Sequence, residues 1–219
     1  MTPWIGDSVD AVIFDHDGTL VDSETITLSL LATMAVEAGA DVFADDAERL
    51  KGSDINVVID VIDERSGTTV DREAFFTEFR TRQYDEIRKG LVEIAGASKL
   101  LEALVDRAVP FAVATNAPMA KMELCLGVAG LDRFFSSDVM FSAYDVGVWK
   151  PDPTIFLAAA ERLKTPIERC AIVEDSRPGI AAAIASGAHA IALVPDGEPH
   201  EGATPVQSLA EAHELLLGT

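Results

Sequence analysis

The chain has few cysteines, few basic residues and no long apolar run. Cys125 and Cys170 are the two cysteines among 219 residues. Both have apolar neighbours and neither belongs to a Cys-x-x-Cys pair, so we expect buried free thiols rather than a disulfide framework. No run of about 18 uncharged apolar residues is present, which excludes a membrane-spanning helix. The first residues also lack the basic and apolar pattern of a secretory signal, and we therefore expect a cytoplasmic protein.

Positive charge is scarce. The sequence has 17 Lys and Arg residues against 37 Asp and Glu residues, a net charge of −20. A surface this acidic repels nucleic-acid backbones and anionic membranes, so we expect neither as a partner. The acidity by itself is typical of a highly soluble protein or of a high-salt habitat. An anionic ligand of this chain would need a local concentration of positive charge.

Two regions differ in their hydrophobic pattern. Short β-rich runs alternate with helical stretches after residue 90, which predicts a parallel sheet with helices on both faces. The predicted strands lie at 12–14, 109–115, 139–142, 170–173 and 190–194, and the predicted helices begin near residues 118, 152, 178 and 206.

Residues 21–90 instead show apolar stripes at helical spacing. The stripes begin at Leu28, Ile55 and Phe75, and Asp71 is placed to cap the third helix. The sequence therefore predicts an α/β protein: a Rossmann-like parallel sheet core (residues 1–20 and 91–219) with an inserted all-helical cap domain (residues 21–90).

Two aspartates follow the first predicted strand at spacing i, i+2. Asp15 and Asp17 come directly after the apolar run, and Gly18 then turns the chain. Both carboxylates would lie at the carboxyl end of a buried strand, where open α/β sheets bind ligands. Adjacent carboxylates repel each other unless a cation or a shared proton compensates. The pair favours a metal-assisted site, although Asp-Gly is also an ordinary turn signal. We expect His16, between them, to pack on the opposite face.

Further polar residues follow other predicted strands. Thr115 and Asn116 end the second strand, Lys150 precedes a helix, and Glu174 and Asp175 end the fourth strand. Together they would supply carboxylates, a hydroxyl and a cation at one rim of the sheet. Carboxylate oxygens suit Mg²⁺. Each also has a structural interpretation, because Thr115 can cap a helix, Lys150 can lie at the surface, and the acidic pair can precede a helix.

Four segments, in order, resemble the signatures of the haloacid dehalogenase superfamily, specifically its phosphatase-like members with a helical cap. They are Asp15-His16-Asp17-Gly18-Thr19, Thr115, Lys150-Pro151-Asp152 and Glu174-Asp175-Ser176-Arg177-Pro178-Gly179. The resemblance covers nearly the whole chain. A narrower resemblance, to bacterial sugar-phosphate phosphatases that act on 6-phosphogluconate, rests on Leu50-Lys51-Gly52, Tyr144-Asp145 and Trp149-Lys150-Pro151-Asp152-Pro153.

The resemblance implies a Mg²⁺-dependent phosphatase that acts on a small phosphorylated metabolite, such as a sugar or sugar-acid phosphate. Asp15 would be the nucleophile that forms an aspartyl-phosphate. Asp17 would be the general acid for the leaving alcohol and then the base for water. Asp15, Asp17 through its backbone carbonyl, Glu174 and Asp175 would hold Mg²⁺, with Asp175 binding most directly.

The resemblance also implies which residues bind the substrate. Thr115 and the backbone N–H of Asn116 would donate to the transferring phosphoryl group, and Lys150 would bridge phosphate and Asp15. In the helical insert, Lys51 is expected to bind the distal end of the substrate, or alternatively to be an exposed lysine at a helix end.

Other functions remain open. The nearest is a sugar-phosphate mutase resembling β-phosphoglucomutase, but Thr27 stands where that group has a hinge histidine and Ile55 where it has a cap arginine. A dehalogenase is disfavoured because Asp17 supplies an acid that it would not need. An alternative of another class is a non-catalytic phospho-ligand sensor, which could have lost the nucleophile or a metal ligand, and none is missing here.

Overall fold

The computed structural model describes residues 8–40, 55–194 and 201–218. The chain divides into two compact units, one formed by Met1–Asp22 with Val92–Thr219 and the other by Ser23–Leu91. The first unit contains the sheet, and the regular secondary structure among the described residues of the second is helical.

One six-stranded sheet forms the centre of the first unit. Its strands are β1 (Ala11–Phe14), β2 (Phe111–Thr115), β3 (Met140–Ser142), β4 (Cys170–Glu174), β5 (His189–Leu193) and β6 (Thr204–Val206). They are all parallel and lie in the order β3-β2-β1-β4-β5-β6. The predicted α/β class with a parallel sheet is therefore confirmed.

The described residues form nine α-helices. They are α1 (Ser23–Glu37), α2 (Ile55–Ser66), α3 (Arg72–Gly90), α4 (Ala97–Asp106), α5 (Met119–Ala129), α6 (Ala143–Val146), α7 (Thr154–Arg162), α8 (Arg177–Ser186) and α9 (Leu209–Leu217). Within these parts of the chain, no helix has both the length and the apolar character that crossing a membrane would require.

The two central strands explain the apolar runs in the sequence. Every residue of β1 is fully buried, and so is the apolar part of β4, because both faces of a parallel strand are covered. On one face Ile13, Ala112 and Ile172 pack with Phe156 of α7. Strand β1 lies between β2 and β4, where the chain reverses its direction across the sheet. Ligands of open α/β sheets bind beyond the strand ends at such a reversal.

The helical unit has its own apolar core. Leu31 of α1, Ile59 of α2 and Phe79 of α3 are buried in it, together with their apolar neighbours at helical spacing. The predicted cap of α3 is confirmed, because Asp71 Oδ1 accepts a hydrogen bond from Ala74 N at 3.0 Å. The spacing on α1 predicts a buried stripe of Leu28, Leu31, Ala32, Ala35 and Val36. This stripe is wrong in part, because Val36 is 61% exposed, and Leu30 and Met34 are buried in addition to Leu31 and Ala35.

The end of the chain also differs from the prediction. The last helix was expected from Val206, but Val206 ends strand β6. Helix α9 begins at Leu209, and Ser208 Oγ caps it by accepting a hydrogen bond from Glu211 N. A three-residue edge strand that contains Pro205 gives little β signal. The two cysteines are free and buried, as the sequence predicts, and burial raises the pKa of the Cys125 thiol to about 12.

Candidate active site

The predicted site residues meet at the carboxyl end of the three central strands. Asp15 follows β1, and its N–H donates to Val173 O at 2.9 Å, which continues the pairing of β1 with β4 by one residue. Thr115 is the last residue of β2, and Glu174 is the last residue of β4. Because these strands are parallel neighbours, their ends deliver polar side chains to one rim.

A buried lysine joins two of these strand ends. Lys150 Nζ donates to Asp15 Oδ1 at 2.5 Å, to Glu174 Oε2 at 2.9 Å and to Ala114 O at 2.8 Å. Its side chain is 2% exposed. An ammonium group has three protons to donate, and all of them have acceptors here. The lysine charge is thus fixed between two carboxylates, 135 and 24 residues away in the sequence.

The charges in this cluster do not balance. Burial and the Glu174 carboxylate raise the pKa of Asp15, against the opposing effect of Lys150. Burial acts to lower the pKa of Lys150, but Asp15 and Glu174 raise it further than burial lowers it. Two carboxylates share one ammonium, so an additional cation at this position would relieve their repulsion.

Glu174 also shapes the loop that leads into α8. Its Oε1 accepts hydrogen bonds from Asp175 N at 3.0 Å, from Ser176 N at 2.9 Å and from Ser176 Oγ at 3.0 Å. The carboxylate occupies the space that a side chain at Gly179 would fill, since a Cβ there would lie 1.4 Å from Glu174 Oε2. Glycine at position 179 is therefore required by the position of Glu174.

Asp175 lies against the turn that follows β1. Thr19 Oγ1 donates to Asp175 Oδ1 at 3.2 Å. Gly18 has φ +82°, and a Cβ at this residue would lie 2.1 Å from Asp175 Oδ2. This turn thus accommodates Asp175 in two ways. Gly18 leaves room for the carboxylate, and Thr19 donates a hydrogen bond to it.

These carboxylates form a possible cation site. Single oxygen atoms of Asp15, Glu174 and Asp175 lie within 4.8 Å of one another. The donors are all hard carboxylate oxygens, which fit Mg²⁺ and are unlike the nitrogen and sulfur ligands of most zinc sites. The residues therefore fit the metal that the sequence predicts.

The second aspartate of the motif has a partner that the sequence analysis missed. Lys121 Nζ, on the first turn of α5, donates to Asp17 Oδ1 at 2.7 Å, and His16 Nδ1 lies 3.2 Å from the same oxygen. Burial acts to raise the pKa of Asp17, but Lys121 and His16 hold it well below its usual range. Lys121 belongs to no motif, and the one available signal is its place on the helix after the second predicted strand.

His16 itself is fully buried, as expected for a packing residue. Neither of its ring nitrogens makes a hydrogen bond of good geometry in the described parts of the chain.

Asn116 and Thr115 hold the neighbouring loops in place. Asn116 Oδ1 accepts from Lys150 N at 3.0 Å, and its Nδ2 donates to Lys150 O at 3.4 Å, so the amide bridges the backbone of the buried lysine. Thr115 is buried, and its Oγ1 accepts from Ala117 N at 3.0 Å. The side-chain role of Asn116 was not predicted, because the resemblance concerned its backbone N–H.

Two positions that the sequence analysis singled out lie in the helical insert. Lys51 lies outside the described residues, so its expected contact with substrate stays a prediction. Thr27, the position of the mutase histidine, donates to Ser23 O at 2.8 Å and accepts from Gln83 Nε2 at 2.8 Å. Its hydroxyl is thus used within the helical unit.

Comparison with known proteins gives a consistent assignment. The sequence model of haloacid dehalogenase-like hydrolases matches residues 12–193. A 6-phosphogluconate phosphatase from Escherichia coli K12 is 33% identical over 180 residues, which cover 82% of this chain and 80% of that protein.

Solved structures also resemble the chain over nearly its full length. A haloacid dehalogenase family hydrolase from Deinococcus radiodurans, with bound phosphate and sodium, has a TM-score of 0.80 at 29% identity and covers 95% of both chains. A structure from Thermotoga maritima assigned as a β-phosphoglucomutase has a TM-score of 0.78 at 26% identity, covering 95% of this chain and 97% of that one. The chain therefore belongs to the haloacid dehalogenase-like hydrolase family.

Proposed function

We propose that this enzyme is a Mg²⁺-dependent phosphatase that hydrolyses a small phosphate monoester through an aspartyl-phosphate on Asp15. The observation that carries the proposal is the buried Lys150 ammonium, bonded to both Asp15 and Glu174 beside Asp175. A cation fixed against a carboxylate at a sheet end is suited to binding an anionic group next to a nucleophile.

Asp15 and Asp17 would divide the reaction between them. An Asp15 oxygen attacks phosphorus and forms the acyl-phosphate bond, the ester P–O bond breaks, and the departing alkoxide takes a proton from Asp17. Water then attacks the same phosphorus and gives a proton to Asp17, the bond to Asp15 breaks, and inorganic phosphate leaves. Splitting the hydrolysis in this way lets two side chains serve both half-reactions.

The metal would be held mainly by Asp15 and Asp175, with the backbone carbonyl of Asp17 as a further ligand. When bound, Mg²⁺ supplies positive charge that offsets the repulsion between Asp15 and the phosphate. Glu174 completes the acidic group, but its oxygens already accept four hydrogen bonds. Glu174 is therefore better suited to orient Lys150 and the loop than to bind the ion most directly.

Thr115, Asn116 and Lys150 would bind the transferring phosphoryl group. The Thr115 hydroxyl is used as an acceptor in its contact with Ala117, so its proton can be donated to a phosphate oxygen. Asn116 fixes the backbone of Lys150, which supports the lysine position in addition to any contact of its own N–H with phosphate.

The low pKa of Asp17 keeps its carboxylate ionised, which is the form that can accept a proton from water. For the first half-reaction Asp17 must carry a proton, and a phosphate dianion arriving beside it raises its pKa by like-charge repulsion. The same carboxylate can therefore act as acid with substrate bound and as base afterwards.

The proposed substrate class has less support than the proposed reaction. The Escherichia coli relative is named for 6-phosphogluconate, and we propose a sugar or sugar-acid phosphate for this enzyme too. The helical unit would act as a cap domain, with Lys51 binding a second anionic group.

A sugar-phosphate mutase is the second candidate, and the likeness to the Thermotoga maritima structure favours it. The hydroxyl of Thr27 is bonded within its own unit, and an isoleucine at position 55 offers no charge to a second phosphate. Both features favour transfer to water. A mutase would interconvert sugar-phosphate isomers with little net release of phosphate.

The deciding experiment measures phosphate release from p-nitrophenyl phosphate and a panel of sugar phosphates, with Mg²⁺ and with a chelator. We expect Mg²⁺-dependent release that is lost in Asp15→Asn and kept in the control Asp106→Asn, which changes an exposed aspartate at the end of α4. An enzyme that is inert towards the whole panel with Mg²⁺, or an active Asp15→Asn, contradicts the proposal. A non-catalytic sensor predicts binding without turnover.

A further inference from the structure

We propose that Lys121 is a positioning residue that holds the Asp17 carboxylate in place for proton transfer to the leaving alcohol. This inference rests on the proposed function, because it assigns Lys121 a part in that reaction through Asp17.

The contact is direct and well shielded. Lys121 Nζ lies 2.7 Å from Asp17 Oδ1, and the two side chains are 13% and 29% exposed. At this exposure water competes less for the pair than it does at the surface, so the ion pair constrains the carboxylate more than an exposed pair would. The two residues are 104 positions apart in the sequence, so the contact depends on the fold rather than on a local turn.

Lys121 lies near a helix N-terminus, where a positive charge is unfavourable. It lies on the first turn of α5, which Pro118 begins, and Lys121 N donates to Pro118 O at 2.9 Å. A cation is unfavourable near a helix N-terminus, where the backbone N–H groups already present positive charge. The carboxylate of Asp17 compensates this cost. Residues that break a local rule are most often found at functional sites.

The other lysine of the site has no proton left to hold Asp17. Lys150 donates to Asp15, to Glu174 and to a backbone carbonyl. Each aspartate of the motif thus has its own lysine, Lys150 for Asp15 and Lys121 for Asp17. An aspartate side chain has two rotatable bonds, and the ion pair restricts both.

The loss of activity in a Lys121 variant should depend on the leaving group of the substrate. An alkoxide needs a proton as it departs, whereas p-nitrophenolate leaves without one. If Lys121 acts by positioning the acid, Lys121→Met should lower kcat/KM on the best sugar phosphate of the panel by about 10- to 100-fold, less than the about 10²- to 10⁴-fold that an acid–base group contributes, because Asp17 is displaced and not removed. The parameter compared is kcat/KM because it reports the steps up to alcohol release and not the later attack of water on the aspartyl-phosphate, which Asp17 serves equally for both substrates. On p-nitrophenyl phosphate the loss of kcat/KM should be under about 3-fold.

Two further variants test whether Lys121 acts through Asp17. In an Asp17→Asn background, adding Lys121→Met should cause no further loss on the sugar phosphate, because the group that it positions is already gone. Lys121→Arg, which keeps the charge, should restore part of the sugar-phosphate activity. Lys99→Met is the matched control, since it removes the same charge from an exposed position on α4 and should leave kcat/KM unchanged on both substrates.

Thermal unfolding is measured for every variant, and rates are compared among folded enzymes. If Lys121→Met does not fold, Lys121→Gln and Lys121→Arg carry the same leaving-group comparison. Equal losses on the two substrates, or a loss that persists in the Asp17→Asn background, overturn the role of Lys121. Inactivity of the wild-type enzyme on both substrates would instead overturn the proposed function.

Discussion

Replacing Gly179 by alanine should destabilise this protein, although the same change within a helix is ordinarily stabilising. Gly179 lies in the first turn of α8, and its N–H donates to Ser176 Oγ at 3.1 Å. An added Cβ would lie 1.4 Å from Glu174 Oε2 and 1.9 Å from Glu174 Cδ. Since two atoms cannot approach so closely, Glu174 must leave its position.

The loss of folding stability in Gly179→Ala can be estimated from the hydrogen bonds that Glu174 would lose. Its carboxylate accepts four hydrogen bonds, one from Lys150 and three from the loop before α8. A hydrogen bond to a charged group contributes about 1.5–3 kcal/mol, so the loss of two costs about 3–6 kcal/mol. Alanine regains about 0.5–1 kcal/mol relative to glycine in a helix. The expected net loss is about 2–5 kcal/mol, or roughly 5–15 °C in Tm for a chain of this size.

The protein offers a matched control in Gly127 of α5. Apart from the adjoining residues and the backbone of its own helix, no heavy atom of the described residues lies within 4 Å of a Cβ built at Gly127, so alanine there should be neutral or stabilising by up to about 1 kcal/mol. Both variants are compared with the wild type by thermal and urea unfolding, and by kcat on p-nitrophenyl phosphate. Turnover of Gly179→Ala should also fall, because Lys150 loses one of its acceptors. A Gly179→Ala variant as stable as Gly127→Ala would refute the assigned position of Glu174.

Three further predictions concern the charges of the site. Lys150→Met leaves two buried carboxylates without their counter-ion, so we expect about 3–5 kcal/mol of lost stability in urea unfolding together with a large loss of kcat. The pKa of Asp17 is held below its unfolded value of about 3.8, so its contribution to stability is complete above that pH and is lost as the pH falls further. The difference in unfolding free energy between wild type and Asp17→Asn, measured from about pH 6 to pH 3, should therefore shrink with acidification. Mg²⁺ at about 100 times its Kd should stabilise the protein by about 2.7 kcal/mol, and Asp175→Asn should weaken this effect.

Each of these has an outcome that counts against it. Lys150→Met that unfolds like the wild type would mean that the buried ion pair contributes nothing. A stability difference for Asp17→Asn that is independent of pH would contradict the role of Lys121 and His16 in holding the carboxylate ionised. An unfolding midpoint that Mg²⁺ does not move would contradict the cation site formed by the three carboxylates.

The strand ends were predictable because each carries its signal locally. The apolar run before Asp15 reads as a buried strand, and the polar residues that follow it mark where that strand ends. Parallel neighbours then require the ends of β1, β2 and β4 to share one rim. Asp15, Thr115 and Glu174 could be placed together in this way without knowledge of any contact.

The contacts made by single side chains were not predictable to the same extent. Lys121 looks like any helical lysine until the fold brings it to Asp17, 104 residues away. Glu174 was expected beside the metal, but its hydrogen bonds to Ser176 and Lys150 depend on distances that no sequence pattern contains. The requirement for glycine at position 179 was not predictable either, because it comes from the Glu174 carboxylate on strand β4.

Weak secondary structure signals account for the remaining differences. Strand β6 is three residues long and contains Pro205, so the pattern around it favoured an early start to the last helix. On α1 the apolar residues surround much of the helix, and the spacing of the stripe did not identify Leu30 and Met34 as the buried positions. The helical type of α1 was predicted, but only part of its buried face was.

The most direct test of the account is to find where the phosphoryl group goes during turnover. The enzyme is mixed with Mg²⁺ and a rapidly hydrolysed substrate, quenched in acid within one turnover, and digested for mass spectrometry, with Asp17→Asn included to slow the second half-reaction. We predict a phosphoryl group on the peptide that contains Asp15, absent from Asp15→Asn. Phosphate release with no covalent phosphoryl group on the chain, or with the group on another residue, would contradict the central claim.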